Sequence, residues 1–83
     1  MTFVYVISSV VRRYVYVGMT DNLARRLKDH QSGNNKTTKP YRPFELVLSE
    51  EFNSKVEARE REKYLKSGVG KEFLKSILLD RKP

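Results

Sequence analysis

Tyr5 and Tyr16 sit in two short apolar runs, Phe3-Val4-Tyr5-Val6-Ile7 and Tyr14-Val15-Tyr16-Val17-Gly18, and a basic segment carrying Arg26 and His30 follows at once. A phenol can hold or release a proton, a guanidinium can neutralise phosphoryl oxygens, and an imidazole can relay protons near neutral pH. Brought together, these groups suit the cutting of a phosphodiester. Each also has a plainer reading. Strand tyrosines are favoured packing residues. Arg26 could be an ion pair or a stem lying along apolar surface, and His30 a satisfied core histidine.

The elements that must position these residues are legible. Residues 3 to 8 and 13 to 19 are rich in Val, Ile and Tyr and flank Ser9-Val10-Val11-Arg12, so they read as an antiparallel hairpin. The first run is apolar on both faces, which predicts a central strand covered on two sides. Tyr14, Tyr16 and Gly18 share one face of the second strand, and a glycine there permits close approach by another group. Thr20 or Asp21 can cap a helix from about Asn22 to Gln31, with Gly33 as a left-handed stop. At about 100° per residue, Leu23, Leu27 and His30 form one stripe, Arg26 lies on its edge and Arg25 points away.

From Gly33 to Pro43 the chain is polar and broken by proline, which predicts an irregular, mobile basic loop. Phe44 to Phe52 alternates as a third strand, with Phe44, Leu46 and Leu48 on one side and a more solvated face on the other. Ser54-Lys55-Val56-Glu57 is a capping box that opens a second helix to about Lys66. Gly68-Val69-Gly70 reads as a turn before a third helix from about Gly70 to Leu79, whose Phe73, Leu74, Ile77 and Leu78 would cover the core. The expected fold is α+β: one domain over residues 1–83, with a three-stranded antiparallel sheet flanked by three helices in ββαβαα order.

Charge narrows the partner. Seventeen Lys and Arg against ten Asp and Glu give a formal charge of +7 over 83 residues, and no acid occurs between His30 and Phe44. A polyanion is the natural partner. Lys36, Lys39 and Arg42 would hold a nucleic-acid backbone without reading sequence, with Tyr41 stacking on a base. The absence of cysteine excludes disulfides and thiolate metal sites and fits a cytoplasmic location. No apolar stretch approaches the roughly 20 residues of a membrane span, and Met1-Thr2-Phe3 lacks the basic start of a secretion signal.

The second helix offers Glu57, Glu60 and Glu62 as acids, and helical periodicity does not choose between Glu60 and Glu62. No spacing of histidines or carboxylates suits a multi-ligand metal site. A bound ion would therefore rest on one carboxylate, water and substrate phosphate, a style typical of Mg²⁺.

From Phe3 to about Leu79 the chain resembles the GIY-YIG nuclease domain, in particular the small free-standing bacterial type related to the amino-terminal nuclease domain of bacterial excinuclease. Phe3-Val4-Tyr5 stands at the first family tripeptide and Tyr16-Val17-Gly18 at the second. Asn22-Leu23-Ala24-Arg25-Arg26-Leu27 then places the family arginine on Arg26, and His30 follows one turn later. Phe3 replaces the first glycine, Val17 an isoleucine, and Met19 a lysine of excinuclease-type domains.

The resemblance implies that Glu62 holds one divalent ion, Mg²⁺ or Mn²⁺. It further implies that Tyr5 or Tyr16 helps activate water, that Arg26 stabilises phosphoryl charge, and that His30 moves a proton or orients phosphate. The expected function is a metal-dependent endonuclease acting on DNA, structure-selective or weakly specific, in repair or recombination and aided by a recruiting protein. The competing expectations are a non-catalytic nucleic-acid-binding module of the same fold and, ranked below it, a protein-interaction module with an acidic partner.

Overall fold

The computed structural model describes residues 1–80. Its elements are β1 (Thr2–Ser9), β2 (Val15–Thr20), α1 (Leu23–Ser32), β3 (Phe44–Phe52), α2 (Lys55–Lys66) and α3 (Gly68–Asp80), with a short 3-10 turn at Lys39–Tyr41. The strands pair antiparallel in the order β2-β1-β3. The expected α+β fold, its ββαβαα order and its central first strand are all present.

β1 is central because it has two apolar faces to bury. Val4 and Val6 pack with Val17, Ala58, Leu65 and Leu74, a wholly aliphatic core beneath α2 and α3. Tyr5 and Ile7 face the other way and pack with Phe44, Leu23, Leu27 and the remaining strand tyrosines beneath α1. One strand therefore supplies both cores.

β3 does not keep the simple alternation its sequence suggests. Val6 pairs with Leu48 but Ile7 pairs with Leu46, so the register slips by one residue at Val47. Such a bulge turns the strand and resets which side chains point where. Phe44 consequently joins the tyrosine core while Val47, Leu48 and Phe52 join the aliphatic one. Leu46 is left 38% exposed.

The helix ends show why these segments start and stop where they do. Asn22, rather than Thr20 or Asp21, caps α1: its Oδ1 accepts the Arg25 N–H at 3.1 Å. Thr20 is occupied one step earlier, its hydroxyl accepting the Asn22 N–H at 3.1 Å. Gly33 closes α1 with φ 84°, as its position predicts. Ser54 accepts the Glu57 N–H at 3.2 Å and so opens α2.

Gly68-Val69-Gly70 is not a separate turn but the start of α3. The junction is Ser67 alone, whose hydroxyl donates to the Tyr64 carbonyl at 2.6 Å and accepts the Gly70 N–H at 3.2 Å. Gly70 serves close packing: a Cβ there would collide with the Tyr64 carbonyl oxygen and the Leu65 backbone. α3 can bend back against α2 only because that atom is missing. Its Leu74 is buried and Ile77 is half-buried, as a core cover requires, whereas Phe73 is exposed.

The segment after Gly33 is more ordered than its composition suggests. Asn35 Oδ1 accepts the N–H groups of Thr37 and Thr38 at 3.0 and 3.3 Å. This is the local side-chain turn that asparagine favours. It drives Thr38 into the interior, where it is fully buried.

Candidate active site

Three elements bring the tyrosine face together. Tyr5 enters from the central strand, Tyr16 and Gly18 from β2, and Arg26 and His30 from the inner side of α1. The Tyr5 hydroxyl lies 2.8 Å from His30 Nε2 and receives the Arg26 Nε–H at 3.3 Å. His30 Nδ1 lies 2.8 Å from the Thr38 hydroxyl, which in turn lies 3.5 Å from the Asn35 carbonyl. Tyr5, His30 and Thr38 are fully buried, and no polar side-chain atom among the described buried residues lacks a partner.

The proton order follows from donor counting. Arg26 can only donate, so the Tyr5 oxygen accepts from it and gives its own proton to His30 Nε2. His30 then carries its proton on Nδ1 and donates it to Thr38, which donates to the Asn35 carbonyl. Every donor is used once along the chain Arg26, Tyr5, His30, Thr38, Asn35.

Electrostatics hold this chain neutral at its centre. Burial pushes the Tyr5 phenol above its ordinary value, over the opposing hydrogen bond from Arg26 and with additions from Tyr16 and Glu62. Burial, followed by the nearby Arg26 charge, pushes His30 below 6.5. Arg26 is held above its ordinary value first by the Tyr5 hydrogen bond, with a smaller addition from the neighbouring Tyr16. At neutral pH the site is thus one fixed cation beside a neutral phenol and a neutral imidazole.

Gly18 pairs directly with Tyr5 across the hairpin. A Cβ at this position would lie 2.6 Å from the Tyr5 oxygen and 2.9 Å from Tyr16 Cε2. Glycine therefore makes the space in which the two phenols stand side by side, their ring centroids 6.2 Å apart.

Glu62 reaches this region from α2, in the opposite layer. It is half-buried, whereas Glu60 is exposed, and its charge contributes to keeping Tyr5 protonated. One of its oxygens stands 3.4 Å from Lys66 Nζ. No group of three or more His, Asp or Glu side chains is placed to hold a metal among the described residues. A single hard carboxylate oxygen source fits a divalent ion that keeps most of its water and takes phosphate as a further ligand.

The four loop residues expected to bind nucleic acid separate into two pairs. Lys36 and Lys39 are exposed. Tyr41 stacks one ring face on Tyr14, centroids 3.8 Å apart and nearly parallel, while Arg42 donates to the Ser32 carbonyl at 2.9 Å. Tyr41 and Arg42 are thus built into the fold that carries the lysines. Thr38 is the site residue that the sequence does not point to. The asparagine-to-threonine spacing signals its turn, but nothing in the sequence says that the hydroxyl ends beneath His30.

The sheet thus presents Tyr5, Tyr16, Arg26 and His30 on one face, with Glu62 in the opposite layer near enough for its charge to bear on Tyr5. Residues 1–75 match the family model described as the GIY-YIG catalytic domain. The chain belongs to the GIY-YIG family. UPF0213 protein NP_0776A of Natronomonas pharaonis is 41% identical over 66 residues, spanning 78% of this chain and 76% of that protein. UPF0213 protein YazA of Bacillus subtilis is 44% identical over 52 residues, 61% of this chain but only 52% of that protein. The solution NMR structure of UPF0213 protein BH0048 from Bacillus halodurans aligns with TM-score 0.55 and 37% identity, covering 93% of this chain and 85% of that one.

Proposed function

We propose that this chain is a metal-dependent endonuclease that hydrolyses phosphodiester bonds of DNA. The observation that carries the reading is the continuous hydrogen-bonded path from Arg26 through Tyr5 and His30 to Thr38. A phenol packed for bulk alone does not require a charged donor on one side and a buried imidazole on the other.

Tyr5 is the tyrosine that meets both, and we assign it the base role. As its oxygen takes a proton from the attacking water, its own proton passes to His30 Nε2, so the phenol never needs to exist as a free phenolate. This removes the difficulty of a group whose ordinary pKa is 10.0 and is raised here. Arg26 neutralises charge developing on the phosphoryl oxygens, and Tyr16 contacts the phosphate beside it. Glu62 is the carboxylate for Mg²⁺ or Mn²⁺, which would supply charge stabilisation at the leaving oxygen. Lys36 and Lys39 hold the backbone on the approach from the α1 side.

Two observations favour the second reading, a non-catalytic binding module: Tyr5 is held protonated, and Met19 stands where excinuclease-type domains carry a lysine. A cleavage assay separates the two. Purified protein is incubated with branched, single-stranded and duplex DNA, with Mg²⁺, Mn²⁺ or chelator, alongside Arg26→Ala and Glu62→Gln. The nuclease reading expects metal-dependent cutting that both variants lose. Salt-sensitive binding without cutting of any substrate would establish the binding module instead.

A further inference from the structure

The proposed site accounts for the α1 side of the sheet and leaves the other side of β2 unused. β2 is an edge strand, and beneath its aliphatic face two adjoining grooves share Val15, Lys75 and Leu78. The first, of about 460 Å³, has Tyr16 and Lys66 in its wall and so opens at the proposed active site. The second, of about 800 Å³, continues to the hairpin loop at Arg12 and Arg13.

The lining has a consistent character. Val15, Val17, Leu74 and Leu78 give it an aliphatic floor. Five cations, Lys66, Lys71, Lys75, Arg12 and Arg13, stand around it against one carboxylate, Glu45. Lys66 is bonded to Glu62 and Lys75 to Glu72, whereas no carboxylate meets Lys71 or Arg13 among the described residues. Lys71 and Lys75 stand one helical turn apart on α3 and project along the same side.

An apolar trough with cationic walls matches a ligand whose charge and apolar surface are separate but repeat together. An unpaired DNA strand has that form, with phosphates on one side and unstacked bases on the other. Duplex DNA does not, because its bases are turned inward and it would leave the aliphatic floor with nothing to cover it. We propose that the groove along β2 binds an unpaired DNA strand leaving the scissile phosphate, so that the substrate has a single-stranded arm beside the cut. This rests on the nuclease reading for its direction: Lys66 bridges the two regions through its bond to Glu62.

Binding is measured by fluorescence anisotropy on the full chain in chelator, with an unpaired DNA oligonucleotide and a blunt duplex of the same sequence. The test variants are Lys71→Glu with Lys75→Glu, and separately Val15→Glu, which puts a carboxylate on the floor at a position already 37% exposed. Circular dichroism confirms that each variant is folded. Each is expected to weaken unpaired-strand binding about tenfold or more and to leave duplex binding within about threefold. Lys71→Ala with Lys75→Ala should reduce the salt slope for the single strand by about 1.4, at about 0.7 per phosphate contact.

Equal losses on strand and duplex, or no loss on the strand, would overturn the proposal. A groove meant for an acidic protein would show itself by the second result. Since nothing is cut in chelator, a wild type that binds unpaired strands through this groove yet never cleaves with metal would sink the nuclease reading alone.

Discussion

The two faces of β1 are built on opposite plans. Toward α2 and α3, Val4 and Val6 meet a buried cluster of aliphatic side chains, with Phe52 and Met19 packed at its margin. Toward α1, Tyr5 meets a histidine, an arginine and, through the histidine, a threonine, all within hydrogen-bond reach. Buried polar groups cost stability unless every donor and acceptor is matched. The first face gives the fold its stability at little chemical use. The second accepts a more demanding packing and holds a hydrogen-bonded path in one geometry.

This contrast is open to attack from both sides. Leu65→Ala, in the aliphatic core, is expected to destabilise the protein by about 2–5 kcal/mol in denaturant unfolding, with the single-turnover rate per folded molecule unchanged. Arg26→Ala should do the reverse, lowering the cleavage rate by about 10²–10³ with little change in the unfolding midpoint. If the two variants shifted stability and rate together, the division of labour between the faces would be wrong.

Gly18→Ala tests the narrow join between hairpin and site. Its methyl would force the Tyr5 ring aside, so stability should fall by about 1–3 kcal/mol and cleavage should fall further than unfolding explains. Thr38→Val removes the hydroxyl beneath His30 with little change of shape. It is expected to cost about 1–3 kcal/mol because a buried imidazole N–H loses its acceptor, and Thr38→Ser should recover most of that loss. Thermal denaturation of the three proteins reads the effect directly.

The smallest effect is on pH. His30 titrates below 6.5 in the folded chain, so the unfolded chain binds more protons in acid. Its contribution to stability is present above pH 6.5 and is lost as pH falls from there through the lower folded value. His30→Gln should flatten that part of the stability profile relative to the parent protein. The same protonation blocks transfer from Tyr5, so the cleavage rate should fall over the same acid range, and an unchanged rate there would remove His30 from the proton path.

The sequence was legible wherever a single element decided the outcome. Two apolar faces on the first run placed β1 at the centre, and the turn of α1 put Arg26 and His30 inward with Arg25 in solvent. It was less legible where two elements had to be combined. The bulge at Val47 splits Phe44 from Leu48, and its position depends on pairing with β1 rather than on β3 itself. Gly70 looked like a turn because a glycine that admits a neighbouring helix has the same letter as one that reverses the chain. Thr38 was hidden for a similar reason: its polarity marks a loop, and only the asparagine turn and the waiting imidazole make it an interior residue.

The central claim is that Tyr5 is a working group on the α1 face and not a packing residue. Tyr5→Phe keeps the ring and removes only the oxygen that joins Arg26 to His30. In single-turnover cleavage of DNA with saturating Mg²⁺, the account expects this variant to be folded and to lose at least about a hundredfold in rate. A folded Tyr5→Phe protein that cuts at the parent rate would contradict it.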